Sequence, residues 1–223
     1  KHFTMKNFLL LIFTFLTTLL FSQQSNFGNW LIYIGNVQLN ERWNWHSEYQ
    51  NRNYNAIGDI EQHLVRTGIG YNLSENNNNL LLGYGFVHSE NYSANQVDKT
   101  KMSEHRIYQQ FITKQDFGRV KFQHRYRFEQ RFIEDKFRLR FRYFIGMVIS
   151  LNNPELIENT YYFSFYNELF IQPVTNSVFD RNRIFGGLGY KINKNIRLEL
   201  GYMNQFFALG QRDQLNVFAY LNF

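Results

Sequence analysis

The sequence predicts an all-β protein, an antiparallel transmembrane β-barrel of about ten to twelve strands that follows a cleaved signal peptide. Two observations carry that expectation. Apolar and polar residues alternate with period two along most of the chain, the pattern of strands with one apolar and one wet face. The one long uncharged apolar run stands at the start and is short of the ~20 residues that a spanning helix needs. Composition agrees with both. Aromatic residues make up 19% of the 223 and apolar residues 44%, yet the mean hydropathy is -0.44, because Asn, Gln and Arg are interleaved with the aromatics. With 2 prolines and 0 cysteines, a Pro-rich disordered linker, a disulfide scaffold, a thiolate metal site and a cysteine nucleophile are excluded. The formal charge of +6 comes with arginines that recur at alternate positions inside strands. A nucleic-acid binder instead concentrates its basic excess on one helix or loop, so none is expected as a partner.

Met5, Lys6 and Asn7 lead into Phe8 to Phe21, followed by the small polar residues Ser22 to Ser25. That is the order of a secretory signal peptide: basic start, apolar middle, small residues at the cleavage site. Residues 1–22 are therefore expected to be the leader, with 1–4 as extra residues ahead of Met5, and 23–223 the barrel. No second long apolar segment follows, so a membrane location requires a closed barrel.

The strands are expected near 28–39, 41–54, 61–73, 79–90, 102–114, 119–133, 136–151, 160–172, 181–193, 196–209 and 212–223. The alternation is plainest in three of them. Phe122, Tyr126, Phe128 and Phe132 alternate with Gln123, Arg125, Arg127, Glu129 and Arg131; Phe137 to Ile149 alternate with Arg138, Arg140 and Arg142; Ile196 to Phe206 alternate with Arg197, Glu199 and Gln205. As helices these segments would be polar all round. The connections Glu75 to Asn79 and Asn193 to Asn195 are tight, whereas Asn91 to Lys101 and Pro173 to Phe179 are longer, as at the two ends of a membrane barrel. A last strand ending in the periplasm puts the turn at Glu75 inside and the loop at Asn91 outside. Eleven segments conflict with the even strand count of bacterial single-chain barrels. Ten or twelve are expected, with Trp30 to Leu39 short of a full wall strand or a further strand hidden in a loop. Trp30, Trp43 and Trp45 are assigned to interfacial aromatic girdles.

The stretches Ser103 to Gln110, His124 to Phe132, Tyr166 to Phe170, Asp180 to Arg183, Gly186 to Tyr190 and Gly201 to Gln205 resemble the signatures of an uncharacterised family of Gram-negative outer-membrane proteins, known as a domain of unknown function. The resemblance spans the mature chain and implies a β-barrel in the outer membrane. It supplies no activity and no catalytic residues. The final strand, ending on Phe223, resembles the signal read by the barrel assembly machinery.

If the aromatic phase faces outward, the lumen receives Arg106, Arg125, Arg127, Arg131, Arg138, Arg140, Arg142, Arg181, Arg183 and Arg197, with Glu104, Glu129, Glu168 and Glu199. The leading reading is an internal salt-bridge network that fills a small barrel, with a structural or envelope-interaction role. The alternative is a small anion-preferring channel or binding barrel, because rings of basic side chains concentrate anions. Unpaired arginines distinguish the two. A third class, a lipid-modifying enzyme, has less support: no nucleophile elbow, Gly-rich phosphate loop or HExxH pattern occurs. Ser103, Glu104 and His105 are adjacent, but neighbours on a strand point to opposite faces. No cofactor and no metal site is expected. Outer-membrane lipid and lipopolysaccharide are the expected partners, together with the assembly machinery during insertion.

Overall fold

The computed structural model describes residues 27–74, 77–93, 97–174 and 177–223. The expected leader lies outside them, as do residues 75–76, 94–96 and 175–176. Eleven strands follow in chain order: β1 (Phe27–Gln38), β2 (Trp43–Asn53), β3 (Ile60–Asn72), β4 (Asn78–Tyr92), β5 (Lys99–Phe117), β6 (Val120–Ile133), β7 (Lys136–Ser150), β8 (Thr160–Ile171), β9 (Phe179–Lys191), β10 (Ile196–Phe207) and β11 (Gln211–Asn222). Each pairs antiparallel with its sequence neighbour, and β1 closes the barrel against β11.

The closing pair corrects the even count. An odd number of alternating strands leaves the first and last running the same way, so β1 and β11 pair in parallel, from Phe27 opposite Asp213 to Asn36 opposite Asn222. Trp30 lies within a full wall strand. Closure leaves no free sheet edge, which outweighs the slightly weaker hydrogen bonding of a parallel pair.

The connections at 39–42, 73–77, 118–119, 151–159 and 192–195 gather at one end with Phe223, whose carbonyl accepts the Gln38 N–H at 2.6 Å. Those at 54–59, 93–98, 134–135, 172–178 and 208–210 form the opposite end. The strand ends at Asn72 and Asn78 therefore lie opposite those at Tyr92 and Lys99, while Glu75 itself lies outside the described residues. The clean alternation of short and long connections is not observed: 151–159 is long at the C-terminal end, and the turn at 134–135 is tight at the other. Side-chain chemistry explains two of the tight turns. Asn40 Oδ1 accepts the Arg42 and Trp43 amides at 3.0 Å, and Asn193 Oδ1 accepts those of Asn195 and Ile196 at 2.9 Å. These are Asx-turns, in which asparagine substitutes for backbone. Glu134 adopts φ 51°, unusual for a residue with a side chain; its carboxylate accepts the Ser103 amide at 3.2 Å and ties the turn to β5.

Polarity is inverted relative to a water-soluble barrel. Leu82, Leu188 and Leu200 point outward and are 59%, 63% and 54% exposed, whereas Glu129 points inward and is 0% exposed. Polar residues on the outer face are paired across strands. Gln130 Nε2 donates to Gln109 at 3.0 Å, and Asn167 Nδ2 donates to Asn182 at 2.8 Å. His105 meets the Tyr84 hydroxyl at 2.6 Å and His124 that of Tyr143 at 2.9 Å. On the inner face, rings lie on glycines of the adjacent strand. A Cβ on Gly83 would stand 2.2 Å from Tyr108, its direct partner, and one on Gly189 would stand 2.0 Å from Tyr162. The glycine run at 186–189 is thus space for aromatic side chains, not a phosphate loop.

Candidate functional site in the barrel interior

Three groups of charged side chains fill the half of the interior away from the C terminus. Nearest that rim, Glu104 on β5 receives Arg106 Nε at 2.7 Å and Arg131 Nη2 at 2.9 Å. Arg106 and Arg131 are direct cross-strand partners, and one carboxylate relieves the repulsion between them. Deeper, Arg142 on β7 donates to Glu129 at 2.8 Å and to Glu168 at 2.6 Å, and Glu168 also receives Arg125 at 2.7 Å and Arg183 at 3.6 Å. Arg140 reaches Asp180 at 2.9 Å and Glu129 at 3.8 Å, while Arg181 meets Asp180 at 3.4 Å. Arg127 donates to Gln110 at 2.8 Å and lies 3.8 Å from Glu129.

Aromatic rings supply the remaining partners. Arg142 and Arg183 stand 4.5 and 4.6 Å from the Phe170 ring centre, Arg127 lies 4.5 Å from Tyr108, and Arg125 lies 4.5 Å from Phe144. Guanidinium is weakly hydrated and planar, so stacking on a ring offsets part of its desolvation, by ~0.5–2 kcal/mol per contact. This settles how basic residues in excess of acids are tolerated: the guanidinium groups are shared among carboxylates, amide oxygens and π faces.

Three of the sequence-predicted residues stand apart from the network. Arg138 is exposed at the rim opposite the C terminus. Arg197 lies near the C-terminal end, 3.9 Å over the Tyr220 ring, with a buried Nε that has no hydrogen-bond partner. Glu199, two residues along the same face, is buried without joining an ion pair among the described residues. Several members were missed from sequence. Arg66 pairs with Glu48 at 2.7 Å, and Arg212 with Glu61 at 2.7 Å. Arg52 lies 3.7 Å over Trp30 and donates to Gln62 at 2.7 Å. The spacing Glu48, Gln50, Arg52 carried the signal, a period-two polar face. Arg66 had none, because its inward neighbours are Leu64 and Gly68. Asp180 escapes the alternation because the β8–β9 register shifts beside it.

The interior is not uniformly polar, and Trp30 is the clearest correction. Instead of joining a girdle it is buried in the lumen with Ile32, Phe185, Met203 and Phe218. Trp43 and Trp45 do face outward, near the C-terminal end. Phe185 stacks on Tyr166 at 4.7 Å and meets Phe218 edge-on at 5.5 Å. This cluster and the ion-pair network together occupy the cross-section.

Two cavities flank the filled layer. One of about 820 Å³ opens at the C-terminal end, and one of about 710 Å³ lies at the opposite rim between Arg131, Arg138, Arg140 and Arg181. They share no lining residue, and Glu104, Arg106, Glu129 and Phe170 lie in neither wall. Among the described residues, no group of three or more His, Asp or Glu is placed to hold a metal ion. Such an interior can bind anions at its two mouths and can brace the wall.

Residues 27–216 match the profile of a family described as protein of unknown function (DUF2490). No curated protein and no solved structure is significantly similar to the chain.

Proposed function

The chain belongs to that family of unknown function, and from this premise we propose that it is an outer-membrane β-barrel whose interior is filled, with a structural or envelope-interaction role. The observation that carries this reading is the inverted polarity. A wall that bares Leu82, Leu188 and Leu200 while hiding Arg127, Glu129 and Glu168 suits a surrounding medium less polar than its own interior. Strands of 11 to 19 residues meet or exceed the ~9–11 that a tilted spanning strand requires. The paired amides and histidines of the outer face suit the same medium, since a polar group facing hydrocarbon is costly unless it is hydrogen-bonded. Lipid and lipopolysaccharide would contact that face, and the last strand, ending on Phe223, would engage the assembly machinery.

The filled layer favours bracing over conduction. Buried ion pairs gain little net stability over apolar packing, so such a network suits a fixed wall shape and a closed path. An enzymatic role is not proposed: His105 faces outward against Tyr84, and Glu104 faces inward between two arginines. Separation of cell membranes on a density gradient tests the proposal. The protein is expected in the dense outer-membrane fraction, with a mature mass that begins near Gln23. Recovery from the soluble periplasm, or a mature chain that retains Phe8 to Phe21, would overturn it.

A further inference from the structure

The cavity at the C-terminal end differs in kind from the network above it. Its mouth is lined by Lys114, Lys121, Lys191 and Arg197, whose like charges face one another across the lumen. Compensation there is sparse. Lys121 pairs with Asp116 at 2.5 Å, and Lys191 donates to the Leu156 carbonyl at 2.8 Å. Arg197 lies over the faces of Tyr220 and Tyr162, beside Glu199, and the Lys114 ammonium has no side-chain partner among the described residues. The other acids on the wall are Glu48 and Glu168, committed to arginines deeper in, and Glu199. Among the described residues, Lys114 therefore looks into the cavity with no acidic side chain paired to it, and Arg197 with Glu199, two residues along its own strand, as the one acid beside it.

One layer further in, an apolar belt enters the wall, interrupted by Arg125 and Glu199. On β5 the inward step from Lys114 reaches Ile112, on β1 the step from Asn36 reaches Ile34, and on β11 the step from Tyr220 reaches Phe218. Phe144 and Tyr166 complete this belt, their rings 5.1 Å apart. A basic mouth above an apolar belt, in a volume of about 820 Å³, is the size and pattern of a small-molecule pocket.

We propose that this cavity binds an anionic amphiphile, with a phosphate or carboxylate held by Arg197 and Lys114 and an apolar body against Ile34, Phe144 and Phe218. Arginine and lysine each donate several charge-assisted hydrogen bonds to such a headgroup. The site adds a binding role to the closed barrel and requires no passage through it.

The test uses the refolded barrel in phosphatidylcholine nanodiscs, titrated calorimetrically with hexyl phosphate, a soluble probe carrying both features. Saturable binding at one site is expected. Inorganic phosphate and hexanol should each bind at least about tenfold more weakly, and hexyltrimethylammonium should not bind. Arg197→Gln and Lys114→Gln should each weaken hexyl phosphate by about tenfold. Should Arg197→Gln fail to give a folded band on unboiled gels, Lys114→Gln carries the test alone, because that ammonium braces no other side chain. Absence of saturable binding, affinities unchanged in the folded variants, or inorganic phosphate bound as tightly as hexyl phosphate would each overturn the proposal. A conducting barrel would contradict the filled interior and leave this titration interpretable, so the two failures are distinct.

Discussion

Arg142 donates from Nη1 to Oε1 of Glu129 at 2.8 Å, and both side chains are buried, the glutamate completely. Glu129 is the one acid on the inner face of β6, between Arg127 and Arg131, and its direct cross-strand partner is Arg140. Its carboxylate is therefore the hub on which like charges of two strands are balanced.

Replacing that carboxylate by an amide tests the hub. Glu129→Gln keeps the shape and removes the charge, leaving Arg142, Arg140 and Arg127 with less compensation. Breaking a buried pair from one side costs roughly 3–5 kcal/mol. The folded band on unboiled gels should disappear at a distinctly lower temperature than for the wild type. An unchanged temperature would mean that the pair carries no structural load.

The strands were legible because alternation is a local signal. Each inward Arg or Glu between outward Phe or Tyr marks its own face, and all eleven segments fall within a few residues of the observed ones. What alternation cannot encode is how the ends meet. The parallel joining of β1 to β11 depends on the whole strand count, and the even counts of bacterial single-chain barrels point away from eleven. Trp30 shows a second limit. It shares the inward phase of β1 with Ile32 and Ile34, but a strand apolar on both faces gives no hint of which side is the lumen. The pairing of particular arginines with particular acids was likewise hidden, because it arises between strands that are not sequence neighbours, as with Arg140 on β7 and Asp180 on β9.

The glycines beneath aromatic rings give a second prediction. A Cβ on Gly83 would meet the Tyr108 ring at 2.2 Å, whereas one on Gly85 would meet the flexible Arg66 stem at 3.3 Å. Gly83→Ala should therefore cost about 1–3 kcal/mol through displacement of the ring, and Gly85→Ala under about 1 kcal/mol. Urea unfolding in lipid vesicles reads both. Equal effects would contradict the ring-on-glycine packing as the cause.

Orientation in the membrane gives a third. With the C-terminal end in the periplasm, Ile57 in the connection at 54–59 lies outside the cell and Glu155 in the connection at 151–159 lies inside. Both are exposed in the structure. Ile57→Cys should react with an impermeant maleimide on intact cells, and Glu155→Cys only after lysis. The reverse pattern would invert the barrel.

The central claim is that the layer of Glu104, Arg106, Glu129 and Phe170 between the two cavities closes the lumen. Planar-bilayer recording of the refolded protein tests it most directly. The filled interior predicts a membrane that stays at its leak current over a range of voltages, for the wild type and for Lys114→Gln alike. Stable, anion-selective conductance steps from the wild-type protein would contradict it and establish an open channel.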